Sequence, residues 1–584
     1  MRIASAALCA AGIALWAGAG TAAADSPVVL EGADEEQREA ILDLLPDREA
    51  PTTLFEAERI TEEAAARAGA WLRSEGYYAA EIVPEAQEDP PLARLRIAPG
   101  RRFVYAAPEL KFVGAAPDAA SARAAQEIIE RIVPGAPARA AEVLQVEGAA
   151  VLALQDAGYA DASAAPRRVI VDHAASTLKA EFNVSAGAPV RLGDVRAEPG
   201  GAFRDSFIER LRNWEPGDAY SPEKLARIRR DFNSTGAVSR LTTRLEPAGA
   251  DGLRDVVLEV EAAKRNAYEL GIGYSTTEGA GVEGEWTRRN LTGRADPLIV
   301  SATLSELLQS AEVELRRPHA AGLERMRRYS ATIAHEDTTA FSRNGIAIAT
   351  SVDADQRLDL GLSYGVQLSA NFYDETAGVE NAYVLSTFAE LRNDTTDVPL
   401  DARDGSIVEL RVEPALSAGD ESLAFVRATA DGRIYESFGE HDRVTLAART
   451  RLGWVEAVSG NVNDIPPDRR FYAGGGGSVR GYEYNSIYPL ERDALGLTPG
   501  GQGAFEVSME SRVRFGDRIG GVVFVDGGNA FDSWEDAADL KWGVGFGARY
   551  DLGFAPLRVD VAFPLDPGED DPDFALYISL GQAF

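Results

Sequence analysis

Sulfur, histidine and positive charge are all scarce in this chain. Among 584 residues there is one cysteine, Cys9, so neither an intrachain disulfide framework nor a cysteine zinc site can form. The four histidines, His173, His319, His335 and His441, are scattered, with no second histidine at helical or strand spacing, which argues against a metal enzyme. Lys and Arg number 59 against 92 Asp and Glu, a formal charge of −33. Nucleic-acid binding needs a basic face, so no nucleic acid is expected as a partner. After Ala24 no run of eighteen apolar residues occurs, which excludes a transmembrane helix. What is present is 45% hydrophobic, too much for a disordered chain, and the length implies several domains.

The first residues read as a targeting segment. Arg2 precedes an apolar stretch through Ile13, Leu15 and Trp16, which ends in small residues before Asp25. That order describes a secretory signal over residues 1–24, cleaved after Ala24, leaving an exported and thiol-free chain.

From residue 27 to about 265 one unit is written three times, with a period near 80 residues. Each copy opens with an apolar strand and a glycine: Val28 to Leu30 then Gly32, Leu110 to Val113 then Gly114, Val190 to Val195 then Gly200. Two helices follow, the second ending at Gly76, Gly158 or Gly236, where a left-handed helix cap requires glycine. Alternating strands close the copies at Leu92–Ile97, Leu178–Val184 and Val256–Val260. The order β-α-α-β-β predicts small sheets, each with two helices on one face. The boundaries are set at 25–100, 101–188 and 189–265.

From Asn266 to Phe584 the helical period gives way to alternation of period two. Leu358, Leu360, Leu362, Tyr364, Val366, Leu368, Ala370 and Phe372 share one face, and Arg357, Asp359, Gly361, Ser363, Gly365, Gln367, Ser369 and Asn371 the other. Similar stretches lie around Phe505–Phe515, Trp542–Tyr550 and Leu557–Phe563. One face is apolar with aromatic ends; the other carries charge of both signs and glycine. A membrane β-barrel has lipid outside and a polar lumen, which fits this better than a soluble sandwich with its shorter strands. Residues 266–584 divided into sixteen strands leave roughly 20 per strand and connection, suited to spans of ~9–11 residues.

Chemical motifs are few. Gly361-Leu362-Ser363-Tyr364-Gly365 fits the serine-hydrolase pattern, but alternation runs straight through it, where that chemistry needs a sharp strand-to-helix turn. Gly474 to Gly477 lacks the Lys-Ser/Thr and helix of a phosphate cradle and reads as a loop. No nucleophile–base or paired-carboxylate set stands out, so an enzyme is not expected. One constellation remains. Arg470 to Tyr482 sits in an irregular insert from about 459 to 501, and loops of that size are commonly functional. Downstream, Phe524-Val525-Asp526-Gly527-Gly528 ends a strand whose alternation turns Asp526 toward the lumen. Arg480, at a glycine-flanked tip, could pair with Asp526 and lock the loop inside the barrel. If the pair is direct, exchanging its two charges should recover more function than either single change.

At these residues the chain resembles the BamA/TamA family of outer-membrane assembly proteins. The tip Val479-Arg480-Gly481-Tyr482 and the strand motif Phe524 to Gly528 match family motifs. Three N-terminal repeats are fewer than the five of BamA and more than the two of two-partner-secretion transporters. With the Phe471-Tyr472-Ala473 lead-in, this favours TamA. The resemblance implies three periplasmic POTRA domains (α+β) followed by an all-β outer-membrane barrel of about sixteen antiparallel strands, in a Gram-negative bacterium. It implies a factor that helps client barrel proteins, autotransporters among them, into the membrane, with outer-membrane lipid as its surroundings and no cofactor or nucleotide. It further implies Phe584 as a C-terminal assembly signal and a seam between the first strand, with Gly271 and Gly273, and the last strand near Gly581. A TamB-like periplasmic partner anchored in the inner membrane would dock through the first POTRA domain. A protein-secreting pore or a passive channel stays open as an alternative.

Overall fold

A computed structural model describes residues 28–584 apart from 47, 49, 323, 324, 355–359, 375, 376, 420, 440, 441, 495, 496, 517, 569 and 570. The signal segment with its cleavage site, Arg357, Leu358, Asp359 and His441 therefore lie outside the described residues. The chain folds into three α/β domains and a closed barrel of sixteen strands. The first two domains form one compact unit; the third domain and the barrel form the other.

In the first domain Pro91–Ala98 is the central strand, parallel to Val28–Glu31 and antiparallel to Glu81–Glu88. The helices Glu35–Asp43 and Leu54–Ser74 cover it, burying Ile41, Ile60, Ala64, Ala68 and Leu72 against Leu30, Leu95 and Ile97. The first helix starts where Asp34 accepts from the Gln37 N–H and Gln37 accepts from the Asp34 N–H, a reciprocal cap. The second domain centres on Thr177–Ser185, with Glu109–Phe112 parallel and Ser163–Asp172 antiparallel to it. It also has a two-residue parallel strand, Val104–Tyr105, that alternation cannot signal at such length. Burial of Phe103 and Tyr105 in the second core holds it there. The third sheet has Leu253–Ala262 between Arg191–Glu198 and Val238–Leu245. Gly76, Gly158 and Gly236, with φ of +98°, +100° and +64°, follow the second helix of each domain.

The barrel strands run in sequence order, each antiparallel to the next, from Asn266–Ser275 to Ala575–Leu580. On the seventh strand, Leu360–Tyr373, the side chains of Leu362, Tyr364, Val366, Leu368 and Phe372 are exposed on the outer wall. In water this would be a large apolar patch; against hydrocarbon it is the favourable side. Along the ladders joining consecutive strands, backbone groups are satisfied between strands, as a membrane span requires. The third domain seats against the barrel end from which the first strand starts. Arg204 N–H donates to the Gly293 carbonyl at 2.8 Å, Asn290 Nδ2 to the Ala202 carbonyl at 2.7 Å, and His319 Nε2 lies 3.2 Å from the Asp231 carbonyl.

A closed sheet of sixteen strands should survive mild detergent. Unboiled protein should therefore migrate faster on a denaturing gel than boiled protein; identical mobility of the two, with release from membranes by carbonate, would contradict a membrane barrel.

Candidate functional site

The long insert lies between the eleventh strand, Val444–Ser459, and the twelfth, Gly503–Arg514. Its base is fastened to the chain at several points. Phe471 exchanges two backbone hydrogen bonds with Gly501, at 2.9 and 2.8 Å, and Ala473 two with Ile487, at 3.0 Å each. Arg470 donates to the carbonyls of Gly500 and Val462, both at 2.9 Å, and lies 3.3 Å from Asp532. Arg492 meets Asp532 from the other side at 2.7 Å. Val479, Tyr482, Ala473 and Ile487 then pack into a small apolar cluster that carries the tip.

At the tip, Arg480 is 2% exposed and faces the inner wall. Its Nε donates to Asp526 Oδ2 at 2.6 Å and its Nη2 to Asp526 Oδ1 at 2.9 Å, the two-pronged geometry of a guanidinium on a carboxylate. Nη1 reaches Glu510 at 2.7 Å and Asp560 at 3.4 Å, and the guanidinium carbon lies 3.5 Å from the centre of the Phe524 ring. Burial alone would lower the arginine's proton affinity, but the Asp526, Glu510 and Asp560 charges reverse this, so its pKa stands above the ordinary value. Glu510 is also bound by Arg512 at 2.8 Å, and Asp560 by Arg558 at 2.6 Å and by Arg549. Asp526 has no second cation among the described residues. The neighbours fix the tip further: Gly481 N–H donates to the Tyr577 hydroxyl at 3.1 Å, and the Tyr482 hydroxyl lies 3.2 Å from the Trp542 carbonyl.

Room for this cage comes from a strand whose one charged contribution to it is Arg549, beside Asp560. The fourteenth strand, Lys541–Asp551, turns Gly543, Gly545 and Gly547 inward. A Cβ at Gly543 would overlap the Arg480 carbonyl oxygen, one at Gly545 the Phe524 ring, and one at Gly547 the Asp560 carboxylate. Gly527, grouped with Asp526 from sequence, instead abuts the Trp542 ring on its other side. Sequence reasoning missed Glu510, Asp560 and the role of the three glycines. It had placed all five on the polar face of their strands, but nothing in one sequence says which strands become neighbours.

Other sequence-derived positions fall differently. Phe584 does not continue the outward row of the last strand. That strand ends at Leu580, Gly581 takes φ of +85°, and the chain turns inward. The Phe584 ring lies 6.5 Å from Tyr435 and its carbonyl accepts from Arg512 at 3.1 Å, on the lumen side. Gly581 also leaves the seam: its N–H donates to the Pro556 carbonyl at 2.8 Å, away from the first strand. Gly271 and Gly273 do lie on the first strand, paired with Glu283 and Gly281 of the second. Ser363 is a strand residue whose hydroxyl donates to Asp353 at 2.9 Å, with no exposed turn.

The cage revises one expectation. Exchanging the charges of Arg480 and Asp526 would set a third carboxylate beside Glu510 and Asp560, so the exchange should not rescue. Arg480→Ala orphans buried Asp526; such losses cost ~3–5 kcal/mol in a dry interior and less beside lumen water. Trypsin should then cut the 459–501 insert at least several-fold faster in folded protein, with Arg480→Lys intermediate; equal protection would refute the cage. Gly543→Ala, an overpacking change worth ~1–3 kcal/mol, should loosen the same loop. Gly432→Ala, which meets nothing, should not.

Comparison with known proteins agrees with this architecture. The outer membrane protein assembly factor BamA of Nitratidesulfovibrio vulgaris is 28% identical over 419 residues, 68% of this chain and 51% of the relative, so this chain spans about half that relative's length. The solved structure of Haemophilus ducreyi BamA lacking POTRA domains 1–3 matches the fold with a TM-score of 0.68 at 15% identity, covering 82% of this chain and all of that one. CdiB from Acinetobacter baumannii aligns with a TM-score of 0.45 at 14% identity, covering 82% of this chain and 89% of that one. Residues 290–584, half of the chain, match the Omp85 superfamily domain. With three α/β domains built like POTRA repeats ahead of a sixteen-stranded barrel, this outer-membrane protein of a Gram-negative bacterium belongs to the Omp85 superfamily.

Proposed function

We propose that the protein assists the insertion of other β-barrel proteins, autotransporters among them, into the outer membrane. One observation carries the reading: the barrel closes on a minimal seam. The first strand shares ten registered pairs with the second but two with the last, Tyr274 with Ile578 and Ser275 with Tyr577. One further backbone bond, Thr276 to Leu576 at 3.0 Å, lies at the same end. Below it, residues 266–273 carry no ladder to the last strand. Tyr268, Leu270 and Ile272 are exposed there, and a cavity of about 530 Å³ lined by Gly271, Gly273, Gly476 and Tyr577 lies behind the seam. Unpaired N–H and C=O groups on a strand edge are a template for another strand. Glycine at two successive inward positions of the edge makes it easier to bend. A client strand would pair here while Arg480 and its cage hold the insert in the lumen.

A membrane factor of this kind needs a supply of unfolded clients. The three sheets provide edges for extended chains, Glu81–Glu88 in the first domain among them. That edge supports docking of a TamB-like periplasmic partner through the first domain. The similarity to BamA proteins supports an assembly role, and the Phe471-Tyr472-Ala473 lead-in favours the TamA type.

The seam can be tested directly in a variant with Cys9, the one cysteine of the sequence, replaced by serine. Cysteines at positions 274 and 578, register partners, should form a disulfide that lowers client insertion at least tenfold, with reductant restoring it. Full insertion by the oxidised protein would overturn the seam. Loss of one dedicated exoprotein on deletion, with all barrel proteins at normal level, would turn the reading to secretion.

A further inference from the structure

Lumen-facing arginines of the fourth and fifth strands have acidic partners. On Leu308–Pro318 and Met326–Asp337, Arg316 pairs with Glu314, and Arg328 with Asp353 at 2.6 Å. The neighbouring Arg317 and Arg327 belong to the opposite face, the one that exposes Val313, Tyr329 and Ile333 outside the barrel. They sit directly across from each other in the ladder. Like charges in register repel. The Nε of each is buried without a hydrogen-bond partner. An unsatisfied buried donor is costly, and two on facing arginines call for a shared acceptor.

Around them lies a cavity of about 420 Å³. Arg210 of the third-domain helix Asp205–Leu211 and Arg294 of the turn between the second and third strands complete its charge. Phe207 and Tyr329 supply apolar walls, and Arg317 lies 5.9 Å from the centre of the Tyr329 ring. Among the described residues the lining holds four arginines and no acid, in a chain of net charge −33. The place is equally specific. The first strand leaves the third domain at Asn266, so the fourth strand ends and the fifth begins at the periplasmic rim. An outward face at that rim meets phospholipid headgroups of the inner leaflet.

We propose that this arginine cavity binds a phosphate oxyanion, that of an anionic phospholipid headgroup at the periplasmic rim of the barrel. Planar guanidinium forks meet phosphate oxygens through paired hydrogen bonds, and a single phosphate between Arg317 and Arg327 turns their repulsion into shared attraction. Arg210 closes over it from the third domain and Arg294 from the barrel turn. The lipid thereby joins the third domain to the outer wall.

The test is native mass spectrometry of the full chain in detergent, delipidated and then titrated with phosphatidylglycerol, with diacylglycerol or with inorganic phosphate. Wild type should retain one phosphatidylglycerol at least tenfold more tightly than Arg317→Gln/Arg327→Gln, and retention should weaken with salt. Diacylglycerol, lacking the phosphate, should not be retained. Should the double variant lose heat-modifiable migration, exposed Arg210→Gln serves instead and should weaken retention several-fold. Equal retention by wild type and a folded variant, or equal retention of diacylglycerol, would overturn the proposal. Binding of inorganic phosphate with no lipid adduct would overturn the lipid assignment.

Discussion

Asp526 has no exposed surface, and its carboxylate meets one cation, Arg480. Much of the barrel's interior follows from that dependence. Glu510, Asp526 and Asp560, from the twelfth, thirteenth and fifteenth strands, converge on a single guanidinium. Three carboxylates brought together in a low-dielectric wall would repel one another, so a cation has to reach them. The wall supplies Arg512, Arg549 and Arg558, but these lie against Glu510 and Asp560. Among the described residues, only the loop brings a cation to Asp526. The insert between the eleventh and twelfth strands is thus part of the barrel's electrostatic closure, and its folded position is tied to the wall by charge.

Steric room comes from one strand, the fourteenth, which adds a single charge, Arg549. Three inward glycines on the fourteenth strand leave the space that the Arg480 backbone, the Phe524 ring and the Asp560 carboxylate occupy. Glycine weakens a strand, and here the weakness is offset by the loop that fills the groove. At the seam it is not offset. Gly271 and Gly273 adjoin an open cavity, the last strand has six residues, and the chain then turns inward at Gly581. The two glycine-rich strands therefore differ in consequence: one is filled and braced, the other is left with an unpaired edge.

The large features were legible in the sequence because each rests on a local period. Alternation from Asn266 onward marks strands with unlike faces, and the glycines at 76, 158 and 236 mark helix ends. Arg480 and Asp526 could be singled out because each stands in a distinctive run. Glu510 and Asp560 could not, since their meeting depends on strand neighbours set by the closed topology. The position of the C-terminus was not legible for a related reason. Phe574, Leu576, Ile578 and Leu580 keep the outward row, but positive φ at Gly581 and the Arg512–Tyr435 surface draw Phe584 to the other side of the wall. A period predicts the face of a residue only while the strand continues.

Charge on the two faces of the wall obeys different rules, and the difference bears on where arginines can stand. Inside, an arginine can be neutralised by a carboxylate from an adjacent strand, as at Arg328 and Asp353. Outside, an acid placed to do the same would itself face hydrocarbon or the headgroup layer, where its own desolvation is costly. An outward arginine near the rim is therefore stable when the membrane provides the anion. Arg317 and Arg327 meet that condition at the periplasmic rim, at the level of lipid headgroups. Their placement couples the third domain's seat to the headgroup layer, so the end of the barrel that would receive clients is defined by protein and lipid together.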